Sequence, residues 1–304
     1  MSLTTLLVIL GIIMLIADIH ILHQSDFYRV NDFICHCDRC SLSQPEYNAS
    51  FFISFIRTGF FEYKTFRRDD EMHVGRLLIS KPGYEHITRH IDDQPDTTTG
   101  FKFRAEFFRI LQDQYAKQAG WFLKNKDIHS LMLRSNPQLD YLHHRILQTV
   151  KNKEASGLQV DEMVMDLIEK VMKVISGSAQ EVEPNDNSVR RFHLGTIENA
   201  KEYILQHFSE NISLHRLAQH CHVSPFHFSR IFKSFMNVSP HQYLAEIRLN
   251  HAKILLTTTA EPVTDIAFAC GYNSIEHFAT AYRQKFKVNP TRYRKEMVQA
   301  MKRV

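Results

Sequence analysis

Residues 228–243, Phe-Ser-Arg-Ile-Phe-Lys-Ser-Phe-Met-Asn-Val-Ser-Pro-His-Gln-Tyr, align without a gap on residues 278–293, Phe-Ala-Thr-Ala-Tyr-Arg-Gln-Lys-Phe-Lys-Val-Asn-Pro-Thr-Arg-Tyr. Phe, aromatic, basic, Val, Pro and Tyr recur at matching places, and upstream Leu217-Ala218 echoes Ile266-Ala267. Such a duplication is one supersecondary unit used twice, so the C-terminal third must fold as two similar modules. Charge sets that third apart. Residues 191–304 hold 15 Lys+Arg against 8 Asp+Glu, whereas residues 1–190 hold 22 against 25. A basic third on a slightly acidic body points to one module that meets a polyanion and another that does not.

Each unit reads as two short helices with a tight turn between them. Ser213 can cap a first helix whose Leu214, Leu217, Ala218 and Cys221 share one face, with a turn at His222-Val223. Ser224 as N-cap and Pro225 at the first helical position then restart a helix. It buries Phe228, Ile231, Phe232 and Phe235 and turns Phe226, His227, Ser229, Arg230 and Lys233 outward. The second unit runs through Thr264–Gly271, with Gly271 suited to the left-handed end of a helix. It resumes at Ser274–Phe286 with Phe278, Ala281 and Tyr282 inward and Ile275, Glu276, His277, Thr280 and Arg283 outward. This is the helix-turn-helix arrangement, in which the second helix fits the major groove. Between the units, His241–Thr257 reads as a connecting helix with Tyr243, Leu244, Ile247, Ile254 and Leu255 on its apolar side and Asn250, His251 and Lys253 off it. Successive major grooves on one face of B-DNA lie about 34 Å apart, so a fixed connector would let one subunit read both.

The N-terminal part has another texture. Residues 51–56 and 59–64 are short aromatic and β-branched runs split by Arg57-Thr58-Gly59, a hairpin-like signal. Residues 76–80 form a further strand, stopped at Pro82-Gly83, residues 85–91 alternate as the next, and Asp92–Gly100 reads as a polar loop. Short strands with turns between them suggest a small barrel or sandwich. After about Phe107 the apolar spacing becomes helical, in two or three amphipathic helices. Residues 176–188 lose the pattern and collect Gly, Ser, Pro and Asn, as a linker does. Met1–Ala17 is uncharged and mostly apolar, at the lower edge of what crosses a bilayer. It reads as a short membrane anchor, a buried segment, or an extension from a misplaced start; the absence of a basic stretch before it disfavours a secretory signal.

Leu217-Ala218, Ser224-Pro225, Phe228–Lys233, Ser239-Pro240, Tyr243-Leu244, Arg248, Ala252, Leu255-Leu256, Ile266-Ala267, Gly271-Tyr272, Phe278, Asn289-Pro290 and Tyr293-Arg294 together resemble the C-terminal signature of AraC/XylS-type transcriptional regulators. The resemblance covers roughly residues 195–295. It implies an α+β chain with an N-terminal cupin-like β-barrel and dimerisation helices, followed by an all-α double helix-turn-helix domain. The corresponding boundaries are an apolar leader at 1–24, an effector-sensing barrel at 25–105, a helical dimerisation region at 106–176, a linker at 177–190 and a DNA-binding domain at 191–304. It further implies a cytoplasmic homodimer that binds promoter DNA, usually as an activator, responds to a small-molecule effector and contacts RNA polymerase, with no cofactor and no catalysis. Membrane contact would come only through residues 1–17.

The residues expected on DNA are Phe226, Ser229, Arg230, Lys233, Glu276, His277, Thr280 and Arg283, with Arg230 placed to donate to a guanine and Lys233 and Arg283 to grip phosphate. Where the family often has Gly, this chain has His222, Asn237 and Lys287. Thr280 stands where Arg is frequent, so the first unit is expected to supply most of the specificity. His86 and His90, four apart in a strand, share a face and could line an effector pocket. Cys35, Cys37 and Cys40 put three soft ligands close together, candidates for a metal or redox site that His73, His86 or His90 could complete. A metal-dependent cupin-type enzyme, or a metal or redox sensor joined to DNA-binding helices, is therefore the alternative. The chain lacks the phosphate-binding loop, the serine-hydrolase elbow and the paired-histidine zinc-peptidase motif, so those three chemistries are without their usual devices.

Overall fold

Phe51-Phe-Ile-Ser-Phe-Ile56 is apolar on both sides of an extended chain, and the structure uses both. The computed structural model describes residues 17–36, 43–66, 68–90, 95–152, 156–178 and 193–301. The chain divides into two units, Met1–Glu198 and Asn199–Val304.

In the first unit, strands β1 (Ala17–Gln24), β2 (Tyr28–Cys35), β4 (Phe51–Thr58), β7 (Arg76–Ser80), β9 (Thr97–Phe103) and β10 (Ser130–Arg134) form an antiparallel sheet in the order β1-β2-β9-β4-β7-β10. Strands β3 (Glu46–Asn48), β5 (Phe60–Thr65), β6 (Arg68–His73) and β8 (Tyr84–His90) form a second sheet in the order β3-β8-β5-β6. Helices α1 (Ala105–Gln114), α2 (Gly120–Leu123), α3 (Pro137–Asn152) and α4 (Gly157–Gly177) follow or interrupt them. Side chains on a strand alternate between faces. Phe51, Ile53 and Phe55, with Leu77, Ile79, Phe101, Phe103, Leu131 and Leu133, therefore meet the helices in one core. The intervening Phe52, Ile56 and Leu78 join Phe61, Tyr63 and Met72 in another, with Met132 packed against it. The large sheet is thus covered by helices on one face and by the small sheet on the other.

The α+β class stands, with an open pair of sheets in place of a closed barrel: among the described residues no ladder joins the two. The hairpin expected at 51–64 is instead a crossover. β4 pairs with β7 and β9, and β5 with β6 and β8. Gly59 makes the passage at φ +86°, against the backbone of Pro95 and Asp96, where a Cβ would come within 2.6 Å. The loop expected at 92–100 ends early, because Thr97-Thr98-Thr99, β-branched, enters a central strand flanked by β2 and β4. Residues 17–24, placed in the apolar leader, form edge strand β1, with Ile19 and Ile21 exposed. Residues 1–16 lie outside the described residues, and no helix among those described is long and apolar enough to cross a membrane.

The region 106–176 contains a strand, β10, that hydropathy spacing did not reveal. Leu139, Leu142, Ile146 and Val150 of α3 and Met163, Val164, Leu167 and Val171 of α4 lie in the core of their own unit. These apolar stripes are therefore covered within one chain. Outside that stripe α4 carries ion pairs one turn apart, Asp166 with Lys170 and Glu169 with Lys173. Asp32 on β2, almost fully enclosed, is met by Arg57 of β4 and by Lys151 at 3.4 Å, tying α3 to the sheet by charge as well as by apolar contact.

Candidate nucleic-acid interface

The C-terminal helices follow from caps and periodicity. They are α5 (Leu194–His207), α6 (Leu214–His220), α7 (Pro225–Met236), α8 (Pro240–Thr258), α9 (Val263–Ala269), α10 (Ile275–Phe286) and α11 (Pro290–Met301). Ser213 accepts from the Arg216 amide and Ser224 from the His227 amide, each satisfying a donor that a helix N-terminus leaves over. Pro225 and Pro240 stand in the first turns of α7 and α8, and Ser239 with Gln242 completes a reciprocal cap on α8.

The duplication extends to single hydrogen bonds. At the end of α6 the amides of His222 and Val223 donate to the carbonyls of Gln219 and Ala218, at 3.1 and 3.0 Å. At the end of α9 Gly271 and Tyr272 donate to Phe268 and Ala267, at 2.9 and 3.1 Å. Both are the paired closure that puts its first residue in the left-handed conformation. Accordingly Gly271 has φ +81°, His222 +55°, and the ends of α7 and α10 place Asn237 at +58° and Lys287 at +61°. These three are the positions where the family resemblance led one to look for Gly, and the backbone adopts there what Gly favours, at a cost of about 1 kcal/mol or more for an L side chain. At Gly271 space decides as well: a Cβ would lie 2.7 Å from the Ser209 carbonyl and 2.9 Å from the Arg248 guanidinium. Arg248 donates there to the carbonyls of Phe208 and Glu210, both at 2.7 Å, which holds the end of α5 against the second turn.

Helix α8 is buried on more than one side. Tyr243 meets Phe232 of α7 edge-on at 5.4 Å. Leu249, Ala252 and Leu256 join Ile266, Ala267, Phe278 and Tyr282 in the core of the second unit. Asn250, expected off the apolar stripe, is buried with an amide nitrogen that has no hydrogen-bond partner among the described residues. Ile275, expected outward, packs against the same core.

Phe228, Ile231, Phe232, Phe235 and Met236 of α7 are buried, while Phe226, Arg230 and Lys233 are exposed and Ser229 is partly so. These four fall at i, i+3, i+4 and i+7, one face of a helix. Phe226 is 77% exposed, unusual for an aromatic ring at the start of a helix. On α10, Phe278 and Tyr282 are buried, and Glu276, His277, Thr280 and Arg283 are all exposed. The Ser274 hydroxyl donates to Glu276 at 2.7 Å, and this bond holds the Glu276 carboxyl below its ordinary range. The second face thus carries a fixed negative charge in its first turn and Arg283 two turns on. The first face carries Arg230 and Lys233 with no acid in the first turn of its helix.

A helix-turn-helix domain family matches residues 217–296, both units and the helix between them. The C-terminal unit carries an AraC-type helix-turn-helix domain. Over 109 residues this chain is 34% identical to the probable transcriptional regulator LumQ of Photobacterium leiognathi, covering 36% of this chain and 43% of LumQ. Over 137 residues it is 31% identical to the HTH-type transcriptional regulator ArgR of Pseudomonas aeruginosa, covering 45% of this chain and 40% of ArgR. The chain therefore matches less than half the length of each relative. A solved transcriptional regulator of Chromobacterium violaceum, described as containing an AraC-type DNA-binding domain, is similar at 31% identity and a TM-score of 0.32, covering 34% of this chain and 93% of that one.

Outside the AraC-type domain, His86 and His90 lie on β8, opposite Thr65 and Phe61 of β5. Their surroundings differ. His86 stacks on Tyr63 at 4.6 Å, and His90 meets Asp96. Burial and the Lys102 charge push the His86 pKa down to about 4, against a backbone hydrogen bond at Glu46 that favours the proton. Unfolding restores a value near 6.5, so between these limits the unfolded chain takes up a proton that the folded one refuses. Stability held by the neutral ring is complete above pH 6.5 and falls by about 3 kcal/mol as the pH drops from there through 4. His86→Phe is expected to flatten this acid limb in urea titrations of the full chain, and an unchanged limb would contradict the assignment. Cys37 and Cys40 lie outside the described residues, whereas Cys35 is buried at the end of β2.

Proposed function

We propose that this chain is a sequence-specific DNA-binding transcription regulator in which α7 and α10 enter successive major grooves of one duplex. The observation that carries the reading is the duplicated outward face: Phe226, Ser229, Arg230 and Lys233 on one helix, Glu276, His277, Thr280 and Arg283 on the other, each backed by a fully buried Phe. The first face reads bases through Arg230, and the second, with Glu276 in its first turn, grips phosphate through Arg283 while its acid disfavours most approaches. The names of LumQ and ArgR support regulation of transcription. The N-terminal unit responds to a small molecule in this reading, with His86 as a neutral hydrogen-bonding side chain beside Tyr63.

Selection of bound duplexes from a random-sequence pool tests it with the full chain. The expected result is a bipartite site whose elements lie about one helical turn apart, with affinity falling as salt rises at a log–log slope of about −0.9 per phosphate contacted. Failure to enrich any sequence at low salt would refute the reading.

A further inference from the structure

Three strand ends converge on one cluster at one end of the sandwich. Cys35 closes β2, Asp96 immediately precedes β9 and His90 closes β8. One potential ligand atom from each lies within 4.8 Å of the other two, and Cys35 and Asp96 are buried. The site is held by the main chain as well as by side chains. The Cys35 amide donates to the Asp96 carbonyl at 2.9 Å, and Gly59 is pressed so closely on the Asp96 backbone that no Cβ would fit. Phe61 stands edge-on to the His90 ring at 6.2 Å, an apolar wall on that side.

We infer that Cys35, His90 and Asp96 form a binding site for a zinc-class divalent cation that ties the two sheets together. Three features of the cluster favour it. A thiolate, an imidazole and a carboxylate form a donor set that suits zinc and discriminates against magnesium and calcium, which take oxygen. Zinc bonds of about 2.0–2.3 Å place tetrahedral ligands somewhat under 4 Å apart, a small contraction for the sulfur and a small opening of the His90–Asp96 contact. Charge then balances. The thiolate and the carboxylate together carry two negative charges, so the filled site is neutral, as a buried site requires. On binding, the thiol proton leaves to solvent, so affinity weakens as the pH falls. Three protein ligands leave one tetrahedral position for water or an external ligand. Because Cys35 ends a strand of the large sheet, Asp96 leads directly into another and His90 ends a strand of the small one, the ion would clamp one end of the sandwich.

The test is titration of the chelator-treated full chain with zinc chloride alone, read by calorimetry and by thermal unfolding. One ion per chain and a rise in Tm of about 5–10 °C at zinc a hundredfold above Kd are expected. Cys35→Ser and His90→Ala should each lower affinity by about a hundredfold or more, and Cys37→Ser/Cys40→Ser should leave it unchanged. Wild-type chain that takes up no zinc, or takes it up equally after Cys35→Ser, overturns the inference; so does loss of binding in Cys37→Ser/Cys40→Ser. Should the Cys35 and His90 variants not fold, cobalt(II) in the wild-type chain decides instead: a four-coordinate spectrum with the charge-transfer intensity of one thiolate supports the site, and the intensity of none or of several refutes it.

Discussion

Arg230→Ala is expected to weaken binding of the full chain to its selected duplex about 10–100-fold, and to relax base preference at one position. Arg230 is exposed on the outer face of α7, one turn in from Phe226, in the N-terminal half of the helix, where a groove-bound helix approaches base edges. Its guanidinium presents two parallel donors that match the acceptor pair of guanine, and no side chain of different geometry reproduces that fork. Lys233, one turn further on, marks the contrast. Lys233→Ala should weaken binding about equally for all sequences and reduce the salt slope by about 1. Binding measured for the selected site and for scrambled duplexes at several salt concentrations separates the two. If Arg230→Ala behaves as Lys233→Ala does, Arg230 is a phosphate contact and base reading must come from Phe226, Ser229 or the second helix.

The second large effect separates two aromatic rings two residues apart. Phe228→Ala is expected to cost about 3–5 kcal/mol, because a fully buried ring leaves a cavity that its neighbours only partly fill. Those neighbours include Phe232 at 5.7 Å, which in turn touches Tyr243 of α8, so the loss reaches the connecting helix. Phe226→Ala removes an equal ring from the opposite side, where it is largely exposed, and should change stability by no more than about 0.5 kcal/mol. Its effect is expected in DNA affinity, through lost apolar contact with a thymine methyl or a sugar. Denaturant unfolding and duplex binding of the two variants should therefore give opposite patterns. Substantial destabilisation by Phe226→Ala would show that its face is packed and remove it from the interface.

The C-terminal unit was legible because its signals are local. Ser-Pro at a helix start, a four-residue turn and a Phe every fourth residue act within a few positions, and repetition lets one unit check the other. His222 and Lys287 show the strength of this. Neither residue type favours positive φ, yet both stand where the family resemblance puts Gly, and both adopt the left-handed conformation. The β-rich unit was less legible because its decisive pairings are distant in sequence. Nothing near Gly59 announces that β4 and β5 join different sheets; the reason is the approach of Asp96, more than thirty residues on. Strand β10, with the sequence Ser-Leu-Met-Leu-Arg, is too short to separate from helix by period, and only its pairing with β7 defines it. The same distance concealed the cluster at Cys35. The cysteines drew notice as a sequence run, but the partner carboxylate, Asp96, sat in what reads as a loop.

Helix α8 shares its surface between the two units, with Tyr243 toward one and Leu249, Ala252 and Leu256 toward the other. A recognition helix cannot then be moved along or around the duplex without uncovering apolar surface in the middle of the domain. In an operator, one base pair inserted between the two elements both translates and rotates the far element away from its reader. The buried connector would in this way select against sequences in which every contacted base is correct, and evolution of new targets would proceed by altering letters within elements sooner than the interval between them.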